Sequence, residues 1–169
     1  KTKESSVVLP DSLVFSSVMP GFNIKNETEI TSEYSKNKIK FALQFISENY
    51  FDLFNQEKLI EKPELLNNTN AHLVYINEKA VKKLGIYSID DAPGTRILNE
   101  NNLELLVCGV VKDFEPLSLN GKQEAIIYQV SSDHLAFAFS YKDDLEIIEK
   151  DKKCSFSAIP FQQRMQNQN

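Results

Sequence analysis

Along KIKFALQFI (38–46), Ile39, Phe41, Leu43 and Phe45 alternate with Lys40, Ala42 and Gln44. That period of two predicts a half-buried strand. Ser47 follows and is placed to cap a short helix over SENYFDLFN, where Tyr50, Phe51 and Phe54 fall at helical spacing. Upstream, Leu13 to Val18 reads as extended chain between Pro10 and the turn signal Pro20-Gly21. Residues Asn23 to Asn37 carry no usable periodicity and read as a loop with room for a short strand. HLVYI (72–76) is a second strand of β-forming residues, and Asn77 directly after it is positioned to N-cap the helix EKAVKKLG. Ala80, Val81 and Leu84 share one face of that helix, and Gly85 stops it at the position that favours positive φ.

Asp90 to Gly94 is a turn, TRIL a short strand, and Asn99 to Asn102 another turn. Leu103 to Val111 is the third strong strand; Gly109 inside it predicts a bulge or a close backbone approach. QEAIIYQV and LAFAFSY supply two more strands. LEIIEKDKK (145–153) reads as a short helix, and the tail QQRMQNQN as polar and frayed. No internal repeat is visible. Strands outnumber helices and the helices are short, which makes the fold class α+β.

Composition narrows the function classes. The chain has 169 residues, one domain's worth, with 41% hydrophobic and 25% charged positions, so it is built to bury a core. A net charge of −5 argues against a nucleic-acid partner. No apolar run approaches the roughly 20 residues of a membrane helix, and no signal peptide is evident. The chain begins with Lys1, which predicts a processed product or an excised piece of a longer protein.

Candidate chemistry is sparse. Cys108 lies in a valine-leucine run and is expected buried and inert. Cys154, after a charged stretch, is expected more exposed and unbridged to Cys108. His72 and His134 share no metal-ligand spacing with Cys, Asp or Glu, so no metal site is expected. Asp90-Asp91 and Asp143-Asp144 sit at turn positions, where carboxylates cap backbone amides. Lys112 and Asp113 fall where the third strand ends. Glycine-rich phosphate loops and nucleophile elbows are absent from the sequence, so no cofactor and no catalytic residue is assigned. The sequons at Asn26 and Asn67 mark surface loops.

An ordered set of segments nonetheless carries a resemblance. YINEKAVKKLG, then Pro93-Gly94-Thr95-Arg96-Ile97, then VCGVVKDFEPLSL and IIY resemble the extracytoplasmic core domain of MacB-type (FtsX-like) ABC transporter permeases. LVFSSVMPG and SENYFDLFNQEKLIE resemble its upstream blocks, and LEIIEKDKKCSFSAIPFQ is a weaker echo of its closing helix and turn. The chain departs from the family at Asp90-Asp91-Ala92, where Asp-Pro-Ile is usual. Thr95 stands where Lys is common, and Ile60-Glu61-Lys62-Pro63 lacks the family's turn glycine.

The resemblance implies one periplasmic core domain over 1–169, without its transmembrane helices. A porter-like α/β part would come from both chain ends (1–56 plus 120–169), with a β-rich, sabre-like insert at 57–119. It implies a non-catalytic domain at the bacterial inner membrane that transmits ATP-driven motion for export or lipoprotein release. The implied partners are the permease's own membrane helices, a second permease copy and a cytoplasmic ATPase, with a periplasmic adaptor or outer-membrane component beyond them. Asn77, Gly85, Pro93, Gly94 and Gly109 are then structural motif positions. Two other readings compete: a free-standing cell-envelope ligand-binding or sensor domain, and an enzyme whose site is assembled from scattered residues.

Overall fold

The computed structural model describes residues 13–18, 23–67, 70–114, 123–131, 137–141 and 156–160. In chain order its elements begin with β1 (Leu13–Ser16), β2 (Glu27–Ser32), β3 (Ser35–Ile46), α1 (Tyr50–Leu53), β4 (Lys58–Glu61) and α2 (Pro63–Leu66). They continue with β5 (His72–Asn77), α3 (Glu78–Leu84), a 3-10 turn (Ile89–Asp91), β6 (Arg96–Leu98), β7 (Glu104–Val111), β8 (Ile126–Val130), β9 (Phe137–Tyr141) and β10 (Phe156–Pro160). Few, short helices on a dominant sheet make this an α+β architecture.

Several elements differ from the sequence reading, each for a physical reason. The segment read as a loop holds β2 and the start of β3, a hairpin closed at Ser32 and Ser35. In β2 the buried positions are Thr28 and Ile30, while Glu27 and Glu29 reach across to Lys40 and Lys38. A strand whose outward face is wholly polar and whose inward face includes a threonine hides its period. In β3 the predicted face does reach the core through Phe41, with Ile39 and Leu43 packed beside it, but the face read as polar is buried as well, at Ala42, Gln44 and Ile46. Ser47 does not cap α1; Asn49 holds that position, and the Ser47 hydroxyl turns to Asn49 and to the Phe15 amide. β4, α2 and β10 arise where no element is predicted. The expected helix at 145–153 and Cys154 lie outside the described residues.

The strands hydrogen-bond into a single ten-stranded sheet, and six of them close on themselves. β3 pairs β2 along one edge and, from Ala42 to Ile46, runs parallel to β8 along the other. β8 then pairs β5, β5 pairs β7 in parallel, β7 pairs β6, and β6 returns to β2 through Thr31–Leu98 and Ser32–Ile97. Closure removes open ladder edges from this part of the protein. β4 lines the free side of β7, and the ribbon β10-β9-β1 attaches at the far end of β3. Strands of 57–119 and strands from both flanking segments therefore share one sheet.

Each ring strand sends a side chain into one cluster: Ile30, Phe41, Ile76, Ile97, Val107 and Ile127 represent them in turn. The Ala80, Val81 and Leu84 face of α3 packs into the same cluster. The opposite sheet face is covered by Tyr50 and Phe51 of α1 packing on Ile46, Tyr75, Cys108, Val111 and Tyr128. Phe51 meets Tyr75 and Tyr128 edge-on, with centroids 5.0 and 5.2 Å apart. β5, β7 and β8 are thus buried on both faces, which is why they read as continuous apolar runs.

At the centre of the sheet Val74 pairs Val107 but Tyr75 pairs Gly109, leaving Cys108 as the bulged residue. A Cβ on Gly109 would stand 2.7 Å from the Ile60 carbonyl oxygen and 2.9 Å from the Tyr75 ring. The missing side chain lets β4 and Tyr75 close on the bulge. Gly109→Ala is therefore expected to lower stability by about 1–3 kcal/mol, since the nearest atom belongs to backbone and cannot swing away. An unchanged urea midpoint would remove this close-approach role.

Candidate functional site

The sequence motifs converge on the junction between β5 and α3. Asn77 ends the strand with extended backbone (φ −86°, ψ 171°), and the helix starts at the next residue. Its side-chain Oδ1 accepts from the Ala80 amide at 3.1 Å and from the Ile126 amide at 2.9 Å. Its Nδ2 donates to the Glu124 carbonyl at 2.7 Å. One carboxamide, 1% exposed, thereby ties β5, α3 and the start of β8. Asp113, just past β7, completes the junction: its Oδ1 accepts from the Lys79 amide at 3.1 Å, and Glu78 Oε2 accepts from the Asp113 amide at 3.0 Å. Lys79 Nζ reaches the Gln123 carbonyl.

The glycines mark the other corners. Gly85 adopts φ 78°, and the amides of Gly85 and Ile86 return to the Lys82 and Val81 carbonyls. That double closure is the Schellman arrangement, and Ile86 and Val81 sit in the same core cluster. Gly94 adopts φ 99° with open space around it, so its requirement is conformational alone. Its amide donates to the Val107 carbonyl at 2.8 Å, and the buried Pro93 before it accepts from Lys62 Nζ at 3.3 Å. Together these bonds pin the turn to β7 and to the end of β4.

Cys108 is fully buried, with its Sγ donating to the Val74 carbonyl at 3.3 Å. Burial pushes its pKa up from 9.0 to about 12, so the thiol stays protonated at physiological pH. Beside it the Tyr75 hydroxyl donates to Glu61 Oε1 at 2.9 Å, and Lys58 pairs Glu61 at 3.2 Å. Burial, reinforced by the neighbouring Cys108 and Glu61, drives the Tyr75 phenol upward as well. This group holds β4 against the bulge and contains no activated nucleophile. Lys112 is exposed and pairs Glu57 at 3.6 Å, away from Asp113's capping contacts.

Other sequence candidates do not assemble. His72 is exposed at the head of β5, and His134 lies outside the described residues. The Asp90 amide donates to the Ser88 hydroxyl within the 3-10 turn; Asp143-Asp144 are outside the described residues. Among the described residues no three His, Cys, Asp or Glu side chains gather as a metal cluster. No described helix is long and apolar enough to cross a membrane. Two features escape sequence reasoning. One is the buried Gln44, whose Nε2 donates to Ser16 Oγ at 2.8 Å and Tyr50 Oη at 3.1 Å. The other is an open groove of about 300 Å³ lined by Thr31, Ser32, Glu33, Arg96, Leu98 and Glu104, where Arg96 pairs Glu104.

Asn77→Ala removes a cap and leaves the Ile126 amide without this acceptor, so destabilisation of about 2 kcal/mol is expected by chemical denaturation. Asn77→Asp, which keeps the acceptor, should lose less. A second expectation follows from Cys108. Its folded pKa lies above its unfolded value, so the unfolded chain releases the proton first as pH rises. Stability should be complete below pH 9 and fall between pH 9 and about 12. Burial also pushes Tyr50 up to about 12, adding to the fall above its ordinary value of 10.0. Cys108→Ala should flatten the slope from about pH 9.0 upward, where the thiol begins to titrate in the unfolded chain. An identical pH profile would contradict this assignment.

No family model matches the chain, and no curated protein matches it in sequence. Solved structures do. The chain is similar to the extracellular domain of YknZ, a noncanonic ABC-type transporter from Gram-positive bacteria, at TM-score 0.47 and 12% identity, covering 88% of this chain and 62% of that one. The chain thus spans less than two thirds of that domain. It is also similar to the periplasmic region of MacB from Actinobacillus actinomycetemcomitans, at TM-score 0.43 and 16% identity, covering 93% and 76%. A domain of a putative permease protein from Porphyromonas gingivalis superposes at TM-score 0.51 and 13% identity, covering 88% of this chain and 75% of that one. This chain has the fold of that permease domain.

Proposed function

We propose that this chain is the extracytoplasmic domain of an ABC transporter permease, relaying ATP-driven motion across a membrane for export or lipoprotein release. The observation that carries the reading is the fold shared with the Porphyromonas gingivalis permease domain over 88% of the chain. The position of the resembling motifs supports it independently. Asn77-Glu78 and Asp113 meet at the β5–α3 junction, Gly85 closes α3 and Gly94 ties its turn to β7, so the resembling segments are ones that hold the fold together. Its partners in this reading are its own membrane helices, a second permease copy and a cytoplasmic ATPase, with an adaptor on the outer side. The location is the bacterial inner membrane, on its periplasmic side.

The domain itself we read as non-catalytic. Cys108 is buried and protonated, and Glu61, Glu78 and Asp113 are spent on a tyrosine hydroxyl and on backbone amides. A rigid relay needs such internal bonding and transmits displacement without taking part in the chemistry. In vesicles holding the intact transporter, replacing residues 1–169 by a flexible linker is expected to leave ATP hydrolysis running and abolish export. Export at the wild-type rate would overturn the relay role. Hydrolysis of a nucleotide or ester by the purified chain would overturn the non-catalytic reading.

A further inference from the structure

The ribbon β10-β9-β1 and the closed ring meet along an unusual seam. β1 and β3 share one register pair, Ser16 opposite Ile46. In an antiparallel ladder the flanking pairs, Phe15–Ser47 and Ser17–Phe45, would each exchange two backbone hydrogen bonds. Here each keeps one: Ser47 N–H to the Phe15 carbonyl at 3.0 Å, and Ser17 N–H to the Phe45 carbonyl at 2.9 Å. The other bond of each pair runs to a hydroxyl. The Phe15 amide donates to Ser47 Oγ at 2.9 Å, and the Phe45 amide donates to Ser17 Oγ at 2.9 Å. Two serine side chains thus replace two main-chain carbonyls, one on each side of the same residue pair.

Among the described residues further ties lie near this level, and Val14 of β1 is buried in the same cluster as Ile46, Tyr50 and Phe51. Gln44 Nε2 donates to Ser16 Oγ, which in turn donates to the Val18 carbonyl at 2.7 Å. On the other edge of β3 the Ser131 amide, at the exit from β8, donates to the Ile46 carbonyl at 3.0 Å. Both chain crossings between ribbon and ring therefore leave beside Ile46. Within the ribbon, by contrast, β1 pairs β9 at four successive positions and β9 pairs β10 at five.

We propose that the Ser16–Ile46 seam is a pivot on which the three-stranded ribbon turns as a unit against the closed ring. A carbonyl acceptor is fixed by its peptide plane, whereas a serine hydroxyl follows a moving amide by rotating about χ1. The hydroxyl-bridged pairs hold through a change of angle that would break a full ladder. The ring has no such freedom, because a relative movement of its strands breaks backbone ladders on both sides of each strand. This inference concerns the chain itself and stands independently of the transport reading.

Residue-resolved amide hydrogen exchange on the whole chain tests it. The Phe15, Ser17, Phe45 and Ser47 amides are expected to exchange at least about tenfold faster than those of Val74, Ile76 and Val107 in the ring. The Val14 and Ser16 amides, which strand alternation directs toward β9, should stay at least about tenfold slower than the seam. A seam within tenfold of the ring would overturn the pivot. So would Val14 and Ser16 exchanging as fast as the seam, because the ribbon would then be melting instead of turning. In Ser17→Ala combined with Ser47→Ala, the Phe15 and Phe45 amides should exchange at least about tenfold faster again with ring amides unchanged. Unchanged or slower exchange at both would mean an ordinary backbone ladder and would also overturn the proposal.

Discussion

The side chain of Asn77 is the constraint from which most of the architecture follows. β5 runs into α3 without a linker, so the first amides of the helix emerge inside the protein, where water cannot satisfy them. The Asn77 carboxamide takes the Ala80 amide and, with its remaining capacity, fixes the start of β8 through Glu124 and Ile126. The Lys79 amide is left for a carboxylate from elsewhere, and Asp113 brings the end of β7 to supply it. Satisfying one helix end thus sets the relative positions of β5, β7 and β8. The orientation of α3 over the core cluster is a consequence of the same bonds.

Those three strands then have to be buried twice. The ring side collects aliphatic residues and the α3 face, while the other side collects aromatics under α1. The aromatic side carries hydroxyls, each of which needs an acceptor or donor in a dry setting. Tyr75 finds Glu61, Tyr50 finds Gln44, and Tyr128 lies 3.4 Å from Gln56 Nε2. The Gly109 bulge supplies the space for the Tyr75 ring that makes the first of these possible. Ionisable groups in this region are committed to holding strands together.

The two parts of the sheet differ in how they are tied. Ring closure leaves each of its strands paired on both edges, so internal rearrangement must break ladders. Among the described residues, the ribbon built from the chain ends is coherent within itself and meets the ring at one register pair, through two backbone bonds, two serine hydroxyl bonds and the buried Val14.

How far the sequence alone reached can be seen element by element. β5 with Asn77 and α3 with Gly85 were legible because strand period, cap and left-handed stop lie next to one another in the chain and act locally. Gly109 was legible as a bulge because a glycine inside a buried strand has few other uses. The α+β class followed from the same counts of local pattern, and the ordered motifs identified the kind of fold. β2 was legible only as room for a short strand within a loop, since its outward charges are balanced by lysines on β3 that only the hairpin brings opposite. The Phe41 face of β3 was legible, but burial of its second face was not, because Gln44 looks polar in sequence and is satisfied by Ser16 and Tyr50, partners 28 and 6 residues away. Asp113 looked like a turn carboxylate, and its capping of a helix 34 residues earlier depends on where β7 ends. Sequence by itself determined the elements whose stabilising contacts lie within a few residues. Tertiary structure decided which polar groups could be buried, because that depends on partners that folding alone brings within hydrogen-bond reach.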